Sequence, residues 1–551
     1  MPNKNSKIVF LSVLLIAVLG IIVYANSLHG EFLWDDYHLV KDNTFIRDLS
    51  NITKYFTGSI GAGAQRAYHF YRPLQTLTYA IDYVFWKQDV TGYHLTNMLL
   101  HILTALSVYW LINVLFKDNL IALFTGLFFV AHPLHTEAVA YIAGRSDSLA
   151  AMFMFLCMVF YVKNAERKSA SLRIIMALAY IAALLSKESA MFLPMPLLLY
   201  HYTFKKKINA IDFGSLLAIA ISYIIVRATV LKGMLTDIIN NTTIADRMPG
   251  FFVAIFNYIK LLLFPFGLHM EYAEKLFFWS DPKAFLGTLL VFLCVGFAFK
   301  KKKANNLIFF SILWFFLLLT PYSNIYPINA YMAEHWLYVP SVGFFLLIAY
   351  GFRLSYKIER FKYITIALII GLLSFYSVLA IRQNVSWGNP FLFYNRLLKY
   401  VQDSETVYNN LGVLYAQKDD YQKAIEMFKK SIDIKFYYDD PYFNLGKSYK
   451  MLGRYKEAID FYEKGLQYTK NPVKLGTYYD MGEAYTNAGK YPQAISIYKK
   501  IIEVNPVDGH AFHNLSVIYL QKGERDLAMQ YYNEAAKRGL NDQALLESIR
   551  S

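Results

Sequence analysis

Two patterns of apolar and polar positions divide the chain. Long apolar runs separated by short basic or aromatic-polar stretches fill the first 400 residues; from residue 404 onward apolar positions recur at helical spacing among charged ones. A transmembrane helix takes about 20 mostly apolar residues. Runs of that kind lie at roughly 8–27, 94–116, 119–137, 148–163, 171–187, 189–204, 210–231, 284–299, 306–321, 336–352 and 362–381. The expectation is an all-α protein: a polytopic membrane domain, 1–400, with about eleven spans, then a soluble helical domain, 401–551. The first run reads as a retained anchor, because its apolar stretch from Ile8 to Ala25 is longer than a signal-peptide core.

Basic loops give the sidedness, since Lys and Arg stay on the cytoplasmic side. The clusters are Lys4/Lys7, Lys163–Arg173, Lys205–Lys207, Lys300–Lys303 and Arg353–Lys362. Placing all of them inside puts the N-terminus in the cytoplasm and residues 401–551 on the opposite face. It also makes 232–283 start and end outside, so the apolar piece 249–267 does not read as a single span.

Past residue 404 a period of about 34 residues emerges. Gly412, Gly446, Gly482 and Ser516 mark it, followed by Tyr415, Tyr449, Tyr485 and Tyr519, by Ala424, Ala458, Ala494 and Ala528, and by Phe428, Tyr462, Tyr498 and Tyr532. This pattern resembles four tetratricopeptide repeats, with 541–551 as a short capping helix. Stacked helix pairs of this kind make a concave surface that binds proteins. Asn410, Asn444, Asp480 and Asn514 are the candidate peptide-binding groove, because an amide side chain offers both a donor and an acceptor to a peptide backbone.

Composition sharpens the picture. The 551 residues carry 55 Lys+Arg against 40 Asp+Glu, a net charge of +15. All of the excess lies in 1–400, and the predicted cytoplasmic loops account for it. A topology signal therefore replaces any nucleic-acid partner. The two cysteines, Cys157 and Cys294, sit in apolar runs, which excludes a disulfide scaffold.

Polar motifs gather at the outer ends of the spans. The first outer loop, 28–93, opens with GEFLWDDYH, whose adjacent Asp35 and Asp36 suit a general base, a ligand for a divalent metal, or both. Arg72, Arg145 and Lys187 are candidate cations for a lipid phosphate; His135, Glu137, Asp147, Glu188 and Glu334 are supporting polar groups. Read in order, the DD pair, HPLHTEAV, GRSD, SKE and EHWLYVPS, continuing into the repeats, resemble the transmembrane and tetratricopeptide-repeat (TMTC-like) O-mannosyltransferases of the GT-C glycosyltransferase superfamily.

The resemblance implies transfer of a sugar from a polyprenyl-phosphate donor, which is a substrate and not a cofactor, to a hydroxyl acceptor on a protein or glycan. The transfer would take place on the non-cytoplasmic face, with Asp35 or Asp36 as base and Arg145 as the leading phosphate-binding cation. The family string reads Ala-Glu-Arg where this chain has Ala333-Glu334-His335, so the resemblance hands the expected arginine's donor contact to His335, Arg145, Lys187 or Arg72. Two other readings fit the same sequence: an O-oligosaccharide ligase, and a non-catalytic membrane scaffold presenting the repeats. The composition suggests a bacterial plasma membrane.

Overall fold

The computed structural model describes residues 4–64, 66, 68–231, 242–272, 276–328, 330–469, 473 and 475–551, and it forms two compact units, Met1–Arg396 and Leu397–Ser551. Among the described residues there is no strand.

In the first unit every apolar run becomes helix, but the number of full-length spans is smaller than about eleven. Six helical stretches are long and apolar enough to cross a membrane: Ser6–His29, Val90–Phe116, Ile142–Arg167, Ala210–Val230, Pro282–Lys301 and Glu359–Gly388. A seventh is broken, Asn119–Ala131 and Pro133–Ala140 meeting at 55°. The break follows from Pro133, which has no N–H to give and forces His132 into an extended conformation (φ −71°, ψ 127°). The runs at 171–187, 306–321 and 336–352 are shorter helices, Ala170–Ser186, Asn306–Tyr322 and Ser341–Tyr356, and 189–204 holds the 11-residue helix Pro194–Phe204.

Segment 249–267 is mostly one helix, Ile244–Leu263, started by a Thr243/Asp246 capping box and passing through Pro249. It packs on Pro282–Lys301 so closely that a Cβ on Gly287 would lie 2.0 Å from the Phe252 carbonyl. Residues 232–241 and 273–275 of the intervening outer segment lie outside the described residues.

The loop 28–93 folds on its own small core of Leu39, Val40, Ile46, Tyr55, Ile60, Tyr79 and Tyr93, closed by Ile142. That core fixes the turn carrying the acidic pair. Trp34, just before the pair, holds φ +50°, a conformation L side chains seldom adopt. Its ring packs against Tyr394 and Phe393, with centroids 5.8 and 6.4 Å away.

The second unit stacks helix pairs: Glu405–Gln417 with Tyr421–Ile434, Asp440–Met451 with Tyr455–Tyr468, Leu475–Asn487 with Tyr491–Val504, and Gly509–Gln521 with Arg525–Lys537. The period has a packing cause. A Cβ on Gly412, Gly446 or Gly482 would stand 2.5–2.6 Å from the ring of Phe428, Tyr462 or Tyr498, so each pair closes over a missing side chain. The last helix, Gln543–Arg550, buries Leu545 and Ile549 and is capped by Asp542.

Candidate functional site

The segment from His132 to Asp147 organises the polar layer around the first loop, because nearly every polar residue along it takes one partner from a different part of the chain. His132 and His135 turn into the bundle. His135 is fully buried, its Nδ1 2.8 Å from the Phe129 carbonyl and its Nε2 3.1 Å from the Ser341 hydroxyl, so it braces the bent helix pair from inside. Glu137 faces the other way: the His335 N–H donates to its Oε2 (3.1 Å), and His335 Nδ1 lies 2.6 Å from Oε1. The Tyr141 hydroxyl accepts the Asp35 backbone N–H (3.1 Å), and the Ala143 N–H donates to Asp36 Oδ1 (2.8 Å).

The two aspartates are thereby distinguished. Asp36 is 1% exposed, and both of its oxygens accept backbone N–H groups, Oδ1 from Ala143 and Oδ2 from Leu33 (3.0 Å). It ties the first outer loop to the 132–147 segment. Asp35 is only half-buried; its Oδ1 accepts from the Tyr68 hydroxyl (3.0 Å), and among the described residues no backbone N–H donates to its carboxylate. Burial pushes the Asp35 carboxyl above its ordinary range, opposed by Tyr68, Tyr141 and the Arg72 charge. Burial pushes Asp36 well above that range, with the backbone donors of Leu33 and Ala143 pulling back and the Asp35 charge adding to the rise.

Each cation nominated from the sequence is already matched with a carboxylate. Arg145 is fully buried and pairs with Asp82 at 2.6 Å. It also donates to Asn97 Oδ1 (2.7 Å) and the Tyr93 carbonyl (2.9 Å), and its guanidinium lies over the Tyr79 ring. Lys187 donates to Asp147 Oδ1 at 2.6 Å with both side chains buried. Arg72 grips Glu188 through two bonds of 3.0 and 2.7 Å and reaches the Ser146 hydroxyl. Burial alone would raise Glu188; the Arg72 charge and hydrogen bonds outweigh it and hold the carboxyl down at about 2.

Glu334 is buried and accepts from the His269 N–H (2.5 Å) and the Tyr272 hydroxyl (2.7 Å) on Oε1, while Oε2 has no hydrogen-bond partner among the described residues. Burial pushes its carboxyl well up, assisted by the charge of Glu137. Among the described residues no group of three or more His, Cys, Asp or Glu side chains is placed to hold a metal ion. Asp36, with both oxygens taken by N–H groups, does not join Asp35 in a two-carboxylate cradle.

Sequence reasoning missed Asp82, Tyr68, Tyr141, Tyr272 and His269. A signal existed for Asp82, a lone acid in the apolar string YAIDYVFW, where a charge requires a partner. None existed for the tyrosines, which are four among 45 with the partner-bearing Tyr93 included.

In the repeats the four groove positions are not equivalent. Asn410 and Asn514 are half-buried; Asn444 donates to Asn409 Oδ1 (2.9 Å). Asp480 is bound by Lys450 at 2.7 Å, and Lys450 also meets Glu483. Where an asparagine would offer an amide, this rung holds an internal ion pair.

The tetratricopeptide-repeat family matches residues 403–471 and 479–542. A Caenorhabditis elegans protein, Protein O-mannosyl-transferase F38B6.6, is 26% identical over 420 residues, 73% of this chain and 59% of its own length. Protein O-mannosyl-transferase TMTC3 of Homo sapiens is 23% identical over 489 residues, 79% of this chain and 52% of its own. The crystal structure of MamA is 26% identical with a TM-score of 0.25, over 27% of this chain and 85% of that one. The chain thus spans somewhat more than half the length of the curated relatives it matches, and across its membrane half and its repeats it is similar to the TMTC protein O-mannosyl-transferases.

Proposed function

We propose that this chain is an integral membrane glycosyltransferase that moves a sugar from a polyprenyl-phosphate donor to a protein Ser or Thr hydroxyl on the non-cytoplasmic face, with Asp35 as the base. Similarity to proteins named O-mannosyl-transferases supports the reaction class. The observation that carries the assignment of the base is the asymmetry of the acidic pair: Asp36 is buried with both oxygens committed to backbone N–H groups, whereas Asp35 is half-buried and, among the described residues, no backbone N–H donates to its carboxylate.

In the reaction, the acceptor oxygen attacks the anomeric carbon as its proton passes to Asp35, and the bond from that carbon to the donor phosphate breaks, the phosphate leaving with the bonding pair. Attack from the face opposite the leaving group inverts the anomeric centre. Tyr68 holds the carboxylate in place and, by donating to the anion, favours its ionised form against the effect of burial. The N-terminus lies in the cytoplasm, and the repeats bind the acceptor or a partner protein on the far side.

The test is Asp35→Asn in purified full-length protein, assayed for sugar transfer from a polyprenyl-phosphate-mannose to a Ser/Thr-rich acceptor. Transfer should fall by at least about a hundredfold, the usual contribution of a positioned base, while the unfolding midpoint is unchanged. Full activity in that variant removes Asp35 from the mechanism.

A further inference from the structure

Arg382 and Arg396 line an open cleft of about 240 Å³ whose other walls include Pro265, Phe266, Leu379 and Gln383. Among the described residues neither forms an ion pair or a side-chain hydrogen bond, and no carboxylate lines the cleft. Gln383 is buried, its amide spent on the Leu268 carbonyl (3.3 Å), which fixes the cleft wall. Two arginines on one cleft whose lining includes no carboxylate make it electropositive, and such a cleft favours a bound anion.

The cleft adjoins the site already described. Arg382 lies six residues, roughly 9 Å of helix, before Gly388, whose carbonyl accepts the Glu31 N–H at the start of the acidic loop. Trp387 stacks on Tyr141, with centroids 5.4 Å apart, and Tyr141 contacts Asp35. Arg396 follows Phe393 and Tyr394, which pack on Trp34, and its charge acts on Glu334 and His269. On the other side the cleft opens towards exposed apolar side chains: Leu263, Phe264 and Phe266 are 48%, 60% and 57% exposed. A cationic pocket with an apolar lip fits an anion carried on a hydrocarbon chain.

We propose that Arg382 and Arg396 bind the phosphate of a lipid-borne anion, with its chain running over Phe264, Phe266 and Leu379. The naming of that lipid as the polyprenyl-phosphate donor rests on the transferase reading; the phosphate site itself does not. Arg72, Arg145 and Lys187 each hold a carboxylate, so a phosphate would have to displace an existing partner there, whereas Arg382 and Arg396 have none to lose.

The experiment uses full-length protein in phosphatidylcholine nanodiscs, titrated with farnesyl monophosphate, with farnesol as the uncharged control. Phosphatidylglycerol doped into the disc and inorganic phosphate form two further arms. Farnesyl monophosphate should bind and farnesol should not. R382Q/R396Q should weaken binding by about tenfold per arginine lost, and R382K/R396K should restore part of it. Because neither arginine has a protein partner, both variants should keep the wild-type unfolding midpoint.

Equal affinity in the wild type and R382Q/R396Q overturns the proposal, as does tight binding of inorganic phosphate with no gain from the chain. A loss seen only with phosphatidylglycerol assigns the site to a bilayer headgroup; a loss seen with farnesyl monophosphate assigns it to the donor. Asp35→Asn should bind the probe normally. Arginine-dependent binding without any sugar transfer by the wild-type protein would refute the transferase reading and leave the phosphate site standing.

Discussion

Arg145 offers the sharpest test of how this outer layer is built. The sequence nominates it for the donor phosphate; the structure has it fully buried, paired with Asp82 at 2.6 Å and donating to Asn97 and the Tyr93 carbonyl. In Arg145→Met the carboxylate of Asp82 remains in the protein interior with little besides the Thr96 hydroxyl (2.7 Å) to support it. Removing one member of a buried ion pair costs about 3–5 kcal/mol, chiefly because the other is left uncompensated. Replacing both members by apolar groups of similar size is often neutral or stabilising.

R145M should therefore lower the unfolding midpoint in detergent by several degrees, and R145M/D82L should recover most of that loss. The discriminating readout is transfer activity in the double variant. A structural Arg145 predicts activity restored together with stability, whereas a phosphate-binding Arg145 predicts a stable and inactive protein. A stable but inactive R145M/D82L would refute the argument that the four matched cations serve architecture, and so would an R145M single variant with an unchanged midpoint.

Three further outcomes follow from the same geometry. Tyr68→Phe removes a donor that favours the Asp35 anion; the Asp35 pKa should rise, so the acid limb of the pH–rate profile should move to higher pH while the plateau rate above it changes little. Glu188, held at about 2 against an ordinary 4.5, has a depressed pKa, so its pairing with Arg72 stabilises fully above the ordinary value and less as pH falls from 4.5 towards 2; Glu188→Gln should flatten the stability–pH curve across that window in acid-titrated melts. Gly446→Ala would place a Cβ 2.6 Å from the Tyr462 ring, and overpacking of this kind costs about 1–3 kcal/mol, so melting of the repeat unit, followed by circular dichroism, should drop by several degrees.

The helices were legible because apolar runs and the 34-residue period are local features. The glycines of the repeats could be read as packing devices, since each faces an aromatic within the same helix pair. The number of spans was less legible, because run length does not show that a proline bends a helix by 55° or that a buried helix can stop short of full length. Asp35 and Asp36 were visible as a pair, but their different roles were not. That difference arises from Ala143, more than a hundred residues away in sequence, and from the φ +50° turn at Trp34, which no neighbouring glycine announces. The ion pairs escaped for the same reason: Arg145 and Asp82, or Arg72 and Glu188, are joined only by the fold.

The matched pairs also explain why the groups without a partner matter. Across the outer layer Arg145 meets Asp82, Lys187 meets Asp147, Arg72 meets Glu188 and His335 meets Glu137, each within 3.0 Å. Such pairs are expensive to separate in a low-dielectric setting, which makes them poor candidates for groups that exchange partners at every turnover. Among the described residues outside these pairs, groups of opposite sign lie near the same loop: Asp35, whose carboxylate takes no backbone N–H, and Arg382 and Arg396, in a cleft that no carboxylate lines. Inverting transfer from a lipid phosphate needs one anion to take a proton and cationic groups to receive the departing phosphate. On the proposed reading Asp35 and the two arginines supply these charges, and the rest of the layer holds them in position.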